Sequence, residues 1–177
     1  MTPDDLVLTR RGLRCAGRYW PCTHGRGGIT PTKREGDGAT PVGIHRIVGI
    51  LYRPDRIAPP TAQAIALSPG DLWSDDPTDK DYNHMVRAPY APSHEALRRA
   101  DPLYDLILVT DWNWPKAKPG AGSAIFVHQW RRPGAPTEGC IALSRTDLHS
   151  LCRQITPTTR LIVPPALGQP LSTPQGV

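Results

Sequence analysis

Proline and glycine interrupt this chain too often for long helices. Its 177 residues include 21 prolines and 16 glycines, and hydrophobic residues make up only 38%. Proline breaks the hydrogen bonding of a helix interior, and both residue types favour turns. The pattern therefore predicts a mainly β domain of sandwich or barrel-like form, with six to eight short strands and two short helices at its margin.

The chain is long enough for one domain with a real hydrophobic core. We expect that domain over residues 1–164 and an extended, Pro-containing tail over residues 165–177. Apolar runs bounded by turn residues predict the strands. The predicted strands are Leu6–Thr9, Leu13–Tyr19, Val42–Leu51, Ala62–Ser68, Leu103–Thr110 and Arg160–Val163, together with the runs 125–127 and 141–143.

Two helices and one long loop complete the expected organisation. Ser93 can cap a helix over Ser93–Ala100. Ser144 can begin a second helix, in which apolar residues recur every three or four positions as far as Ile155. The stretch Pro69–Pro92 is long, polar and rich in aromatic residues, and such loops tend to be functional or mobile. We interpret it as either a substrate-covering flap or an irregular insertion.

Several classes of function find no support in the sequence. The net charge is +5, but there is neither a run of basic residues nor a nucleic-acid-binding motif, so we expect no nucleic-acid partner. The four cysteines lack Cys-x-x-Cys spacing and there is no His-Glu-x-x-His motif, so we expect neither a metal nor a cofactor. Cys15 and Cys22 are seven positions apart and would pair only in an oxidising compartment.

The first residues carry neither a signal peptide nor a membrane span, because their only apolar run is Leu6–Leu8. We expect a cytoplasmic protein if the chain is complete as given. If an export signal has been removed, the expected compartment is the periplasm or cell envelope. The sequence does not determine the oligomeric state.

Residues 124–147, AIFVHQWRRPGAPTEGCIALSRTD, hold the residues with the most reactive side chains. His128 follows one apolar run, and Cys140, twelve positions later, precedes another. The Gly/Pro-containing loop between them favours turns. If the two strands lie side by side, the imidazole comes close to the thiol. An adjacent imidazole lowers the pKa of a thiol and so produces a nucleophilic thiolate near neutral pH.

A cysteine in an apolar strand is more often inert core filling, and a histidine at a strand end is more often structural. Three features favour a reactive Cys140. Gly139 has no side chain and lets a substrate approach the sulfur. Thr137 and Glu138 are polar, so Cys140 lies at a boundary of the core. Arg131 in the preceding loop can hold a substrate carboxylate.

A histidine, a loop and then Thr-x-Gly-Cys before an apolar strand resemble the YkuD-type L,D-transpeptidase catalytic domain. Residues 33–47, KREGDGATPVGIHRI, are similar to the family's glycine- and proline-containing segment that leads into a strand. Residues 71–86 and 122–130 are similar to one bacterial branch, and the resemblance covers residues 6–164. The chain departs from the family where a second histidine and an arginine are common, because it has Glu138 and Ala142 there.

The resemblance implies a cysteine-dependent acyltransferase that crosslinks peptidoglycan stem peptides, with donor and acceptor stems as its partners. Cys140 would be the nucleophile and His128 its base, while backbone amides at Gly139 and Cys140 would hold the oxyanion. Because Glu138 replaces the family's histidine, we expect it to steer the incoming amine. The expected substrate-binding residues are Gln129, Trp130, Arg131, Thr137 and Glu138.

Two other functions remain open at this point. An L,D-carboxypeptidase would form the same acyl-enzyme and hydrolyse it with water, as peptidoglycan recycling requires. A non-catalytic cell-wall binding module would keep the fold and an unreactive Cys140. The sequence decides neither which stem bond is cleaved nor which crosslink forms, and it does not reveal the group that orients His128.

Overall fold

The structure, a computed structural model, describes residues 2–168 and is mainly β, which confirms the predicted fold class. The described residues contain fifteen strands, more than the six to eight expected, because several have only two or three residues. They are β1 (Leu6–Thr9), β2 (Gly12–Cys15), β3 (Arg18–Trp20), β4 (Cys22–Thr23), β5 (Ile29–Thr30), β6 (Thr40–Pro41), β7 (Gly43–Tyr52), β8 (Ile65–Ala66), β9 (Asp71–Ser74), β10 (Met85–Arg87), β11 (His94–Ala96), β12 (Leu106–Thr110), β13 (Phe126–Gln129), β14 (Ile141–Leu143) and β15 (Arg160–Val163).

Ten strands form one nearly closed, barrel-like sheet. Its order is β3-β2-β1-β15-β7-β12-β13-β14-β4, and β8 pairs with β7 beside this path. The ten-residue strand β7 holds the sheet together, because its first half pairs with β15 and its second half with β12. A register shift between Val109 and Thr110 interrupts the pairing with β12, as a β-bulge does.

The central strand β12 separates two hydrophobic clusters. All five of its residues are buried, and successive side chains of a strand face opposite sides. Leu106 and Leu108 therefore pack into the larger cluster, which includes residues of β1, β2 and β15. Ile107 faces the second cluster, which also contains Phe126 and Cys140. The candidate nucleophile thus lies on the side of the sheet that the second cluster occupies.

Residues 69–92 are not the irregular loop that their polarity predicts. They supply β9 and β10, which pair with β11 in a three-stranded antiparallel sheet of order β10-β9-β11. Trp73 of β9 meets Phe126 edge to face, with the ring centroids 5.0 Å apart. This small sheet covers the second hydrophobic cluster.

The predicted helix at Ser93–Ala100 is wrong. Residues His94–Ala96 form β11, in which His94 pairs with Ser74 and Ala96 pairs with Leu72. Helix propensity is a weak preference that tertiary pairing overrides, and here the edge of β9 provides the partner. The expected strand Leu103–Thr110 begins later than predicted, at Leu106, because Pro102–Tyr104 form a 3₁₀ turn.

The second predicted helix is present as α1 (Arg145–Cys152), although it ends three residues before Ile155. The Ser144 hydroxyl caps it by accepting a hydrogen bond from the backbone N–H of Asp147 at 3.0 Å. Its apolar face, including Cys152, is fully buried in the larger cluster.

The start of the predicted tail is folded. Pro165–Gly168 form a 3₁₀ turn, and Leu167 packs against the larger hydrophobic cluster. Residues 169–177 of the predicted tail lie outside the described residues. Cys15 and Cys22 are both free thiols. Between residues 2 and 168, no helix has the length and apolar character that crossing a membrane requires.

Candidate active site

The pairing of β13 and β14 brings His128 and Cys140 to one face of the sheet. The two strands lie side by side and run parallel, and His128 pairs with Ala142. Cys140 lies two residues before Ala142, so its side chain faces the same side as the imidazole. Ala142, at the position where an arginine is common in the resembled family, is fully buried.

Both residues line one cavity of ≈ 420 Å³. Cys140 is 8% exposed and His128 is 5% exposed, so the pair lies at the inner end of the cavity, not in its rim. The small sheet and the loop before β14 supply the walls. The other lining residues are Lys33, Glu35, Gly36, Asp75, Glu95, Arg99, Leu103, Tyr104, Ser123, Ala124, Trp130, Arg131, Ala135, Pro136, Thr137 and Glu138.

The Cys140 sulfur is held by the backbone next to it. Its thiol donates a hydrogen bond to the carbonyl oxygen of Ala124 at 3.1 Å, and the backbone N–H of Phe126 donates to Sγ at 3.3 Å. Ala124 has a positive φ of 50°, which a residue with a side chain adopts rarely. Among the described residues, no hydrogen bond joins Sγ to His128. The resting thiol therefore keeps its proton on the side of Ala124.

A backbone carbonyl orients the His128 ring. His128 Nδ1 lies 2.8 Å from the carbonyl oxygen of Gln129, which can only accept a hydrogen bond. Nδ1 is therefore the protonated nitrogen, and Nε2 of the neutral ring is free to accept a proton. The ring also meets Tyr104 edge to face, with centroids 5.2 Å apart. The carbonyl of Gln129 is thus the orienting group that the sequence alone does not reveal.

Burial opposes ionisation of both residues in the free site. Desolvation raises the pKa of the Cys140 thiol to about 12, and the negative charge of Glu95 adds to this effect. Desolvation also lowers the pKa of His128 to about 4. Both shifts favour a neutral thiol and a neutral imidazole in the resting site, and so run against the expected thiolate near neutral pH.

Alkylation of Cys140 by iodoacetamide should therefore accelerate continuously with pH. Because only the thiolate reacts, the rate should rise about tenfold per pH unit between pH 6 and 9. Peptide mass spectrometry can follow Cys140 separately from the other three cysteines. A rate that is constant over this range would instead indicate a preformed thiolate–imidazolium pair.

The turn before Cys140 is fixed by side-chain and backbone contacts. Thr137 Oγ1 donates to the Cys140 carbonyl at 2.5 Å and accepts from the Gly139 N–H at 3.2 Å. Thr40 Oγ1 donates to the Gly139 carbonyl at 2.7 Å. Gly139 has φ +138°, and a Cβ there would lie 2.9 Å from the carbonyl oxygen of Ala39. The backbone itself thus requires glycine before the nucleophile.

Four of the five predicted substrate-binding residues line the cavity. Trp130, Arg131, Thr137 and Glu138 all line the cavity, whereas Gln129 does not and contributes its carbonyl to His128. The Thr137 hydroxyl is already hydrogen-bonded to the backbone of Gly139 and Cys140. Glu138 is exposed and accepts hydrogen bonds from Arg26 Nε with both carboxylate oxygens, each at 2.8 Å. Arg26 thus already balances the charge of Glu138.

Sequence reasoning missed many residues of this cavity, among them Tyr104, Glu95 and Asp75. Tyr104 lies in the turn before β12, and its hydroxyl donates to Glu95 Oε2 at 2.5 Å. Glu95 was expected in the first turn of a helix, and Asp75 in a loop. The only sequence signal for them is the density of charged and aromatic residues between positions 71 and 104.

Residues 2–168 contain no group of three or more His, Cys, Asp or Glu side chains arranged to hold a metal ion. The chemistry that the site offers is that of a buried thiol, an imidazole with a free Nε2, and a peptide-sized cavity beside them. Such a set can transfer an acyl group through a thioester.

Nearly the whole chain matches one known protein family. The family model of the L,D-transpeptidase catalytic domain (YkuD) matches residues 6–163, nearly the whole chain. The chain therefore belongs to the YkuD family of L,D-transpeptidase catalytic domains, which act on peptidoglycan, and the resemblance noted from its motifs is confirmed. Neither curated proteins nor solved structures gave a match.

Proposed function

We propose that this protein is a cysteine-dependent L,D-transpeptidase that crosslinks peptidoglycan stem peptides through a thioester on Cys140. The observation that carries the proposal is the position of Cys140 and His128 on one face of the β13–β14 pair, where both open into a single cavity. His128 Nε2 is free because Nδ1–H is committed to the Gln129 carbonyl. Membership of the family supplies the substrate class.

The first half-reaction forms the acyl-enzyme. The thiol proton leaves the Ala124 carbonyl and passes to His128 Nε2 as the sulfur attacks a peptide carbonyl of the donor stem. The C–N bond then breaks, and the departing amine takes the proton from His128. Cys140 is left as a thioester. The Gly139 N–H is already bonded to Thr137, so the Cys140 amide is the backbone donor that we assign to the oxyanion.

The second half-reaction makes the crosslink. The amine of an acceptor stem attacks the thioester carbonyl, and His128 accepts the proton that this amine loses. The C–S bond breaks, an amide bond forms, and the sulfur regains its proton from His128. Arg131 and Trp130 line the cavity, where a guanidinium can hold a stem carboxylate and an indole can pack against an aliphatic chain.

Product analysis tests this assignment. Purified protein is incubated with a donor stem peptide and an amine-bearing acceptor stem, and the products are identified by mass spectrometry. We expect peptide dimers that need Cys140. Trimmed monomers alone would mean that water resolves the thioester and would make the protein an L,D-carboxypeptidase. Binding without any product would indicate a non-catalytic cell-wall module.

A further inference from the structure

One side of the active-site cavity is acidic, and the mechanism above does not use it. Asp75 follows β9 and Glu95 lies in β11, so both carboxylates come from the small sheet that covers the second hydrophobic cluster. Glu35 lies in the same cavity and accepts a hydrogen bond from the Tyr82 hydroxyl. Like charges that share one cavity repel each other unless something compensates them.

Little in the described part of the chain compensates Glu95 and Asp75. Glu95 has one hydrogen-bond partner there, the Tyr104 hydroxyl on Oε2, and it makes no ion pair. Asp75 Oδ1 is out of contact with solvent and has no hydrogen-bond partner within residues 2–168. A buried polar atom left without a partner costs roughly 1–3 kcal/mol. Both carboxylates thus retain capacity to bind a group that enters the cavity.

Two basic residues of the cavity, Arg99 and Lys33, are already engaged elsewhere, and the third, Arg131, is the one assigned above to a stem carboxylate. Arg99 donates to both carboxylate oxygens of Asp101, at 2.8 and 2.7 Å. Lys33 is bonded to Asp37 and to the carbonyl of Arg34. Burial raises the pKa of Glu95, and the charges of Asp75 and Glu35 raise it further. A bound cation would relieve this repulsion.

Glu95 is also close to the reacting centre. Tyr104, which holds its carboxylate, packs edge to face on the His128 ring, with centroids 5.2 Å apart. The charge of Glu95 contributes to the raised pKa of Cys140, which places it within electrostatic range of the sulfur. A cationic group on Glu95 therefore lies in the same cavity as an acyl group on Cys140.

We propose that Glu95, held by Tyr104 and backed by Asp75, binds the primary ammonium group of the acceptor peptide and so selects amine-bearing acceptors. This inference rests on the proposed transpeptidase function, whose second half-reaction consumes an amine. From the sequence we expected Glu138 to steer the incoming amine. We assign this role to Glu95 instead, because Arg26 already pairs with Glu138.

Thiol-directed probes measure this preference without any substrate turnover. Aminoethyl methanethiosulfonate carries an ammonium group, and propyl methanethiosulfonate is its neutral counterpart of the same length. With either probe the Cys140 thiolate attacks the sulfenyl sulfur, a disulfide forms, and methanesulfinate leaves. The ratio of the two rates at Cys140 reports the cation preference of the cavity. A change in the thiol pKa affects both probes equally and cancels from the ratio.

We expect wild-type protein to favour the cationic probe, and Glu95→Gln to lower the ratio about tenfold, as loss of a charged hydrogen bond does. A glutamine side chain can still accept the hydrogen bond from the Tyr104 hydroxyl, so this side of the cavity should keep its structure. Asp75→Asn should lower the ratio by a smaller factor. The matched variant Glu138→Gln removes the same charge from a residue that Arg26 neutralises, and its ratio should stay within twofold of wild type. An unchanged ratio in Glu95→Gln, or an equal fall in Glu138→Gln, would overturn the proposal.

Acceptor kinetics then link the subsite to the reaction. In Glu95→Gln, the KM for the amine-bearing acceptor should rise about tenfold while kcat changes little, since the variant loses binding and keeps the Cys140–His128 pair. If wild-type protein forms no dimers but the probe ratios behave as expected, the ammonium subsite stands and the transpeptidase assignment fails. If dimers form and neither the ratio nor KM responds to Glu95→Gln, the subsite fails alone.

Discussion

Replacing Cys140 with alanine is expected to reduce dimer formation from stem peptides by about 10⁴-fold or more, because removal of a covalent nucleophile eliminates the acyl-enzyme route. Within residues 2–168 the sulfur makes two hydrogen bonds, to Ala124 and from Phe126. Loss of one small side chain should therefore cost about 1 kcal/mol of unfolding free energy. The measurement is the initial rate of dimer formation at saturating donor and acceptor.

Cys152 provides the matched control for this substitution. It is a free and fully buried cysteine in α1, and it packs in the larger hydrophobic cluster, away from the cavity. Cys152→Ala should lower the free energy of unfolding and leave the rate per folded molecule near that of wild type. Substantial dimer formation by Cys140→Ala would exclude the sulfur as the nucleophile.

His128→Ala is expected to reduce the same rate by about 10²–10⁴-fold, the range that loss of a general base typically produces. Desolvation raises the pKa of Cys140 to about 12, so without a base the thiolate is scarce at neutral pH. The loss should shrink as the pH rises, because hydroxide then replaces the imidazole. The measurement is the pH profile of kcat for the variant and for wild type between pH 6 and 10.

His45 is a second buried histidine and serves as the control. Its ring packs on Trp112, with centroids 5.6 Å apart, and it does not line the active-site cavity. His45→Ala should cost stability through the void it leaves, and its pH profile should follow that of wild type. A His128→Ala variant that keeps wild-type kcat at pH 7 would show that the imidazole is not the base.

The strands flanking the site were predictable because their signals are local. The apolar runs before His128 and after Cys140 form β13 and β14, and the run ending at Thr110 forms β12. The parallel pairing of β13 with β14 was not predictable, since it depends on β4 and β12 occupying the two outer edges of that pair. Local patterns specify a strand, whereas its partners are set by the whole sheet.

The errors share one cause, which is dependence on distant parts of the chain. Residues 94–96 became a strand because β9 offered them an edge. The expected lowering of the Cys140 pKa took no account of burial, because the sequence does not show how completely the folded protein excludes water from the thiol. Glu95 and Tyr104 line the cavity because the small sheet and the 3₁₀ turn both pack on Phe126. Sequence motifs indicated Cys140 and His128 as the candidate pair and left its surroundings undetermined.

The most direct test of the central claim is to trap the covalent intermediate. Full-length protein is mixed with donor stem peptide in the absence of acceptor, quenched in acid within seconds, digested and analysed by mass spectrometry. The account predicts the mass of the donor acyl group on the peptide that contains Cys140, and its release by hydroxylamine. Dimer formation with no acyl group on Cys140, or with the group on another residue, would contradict it.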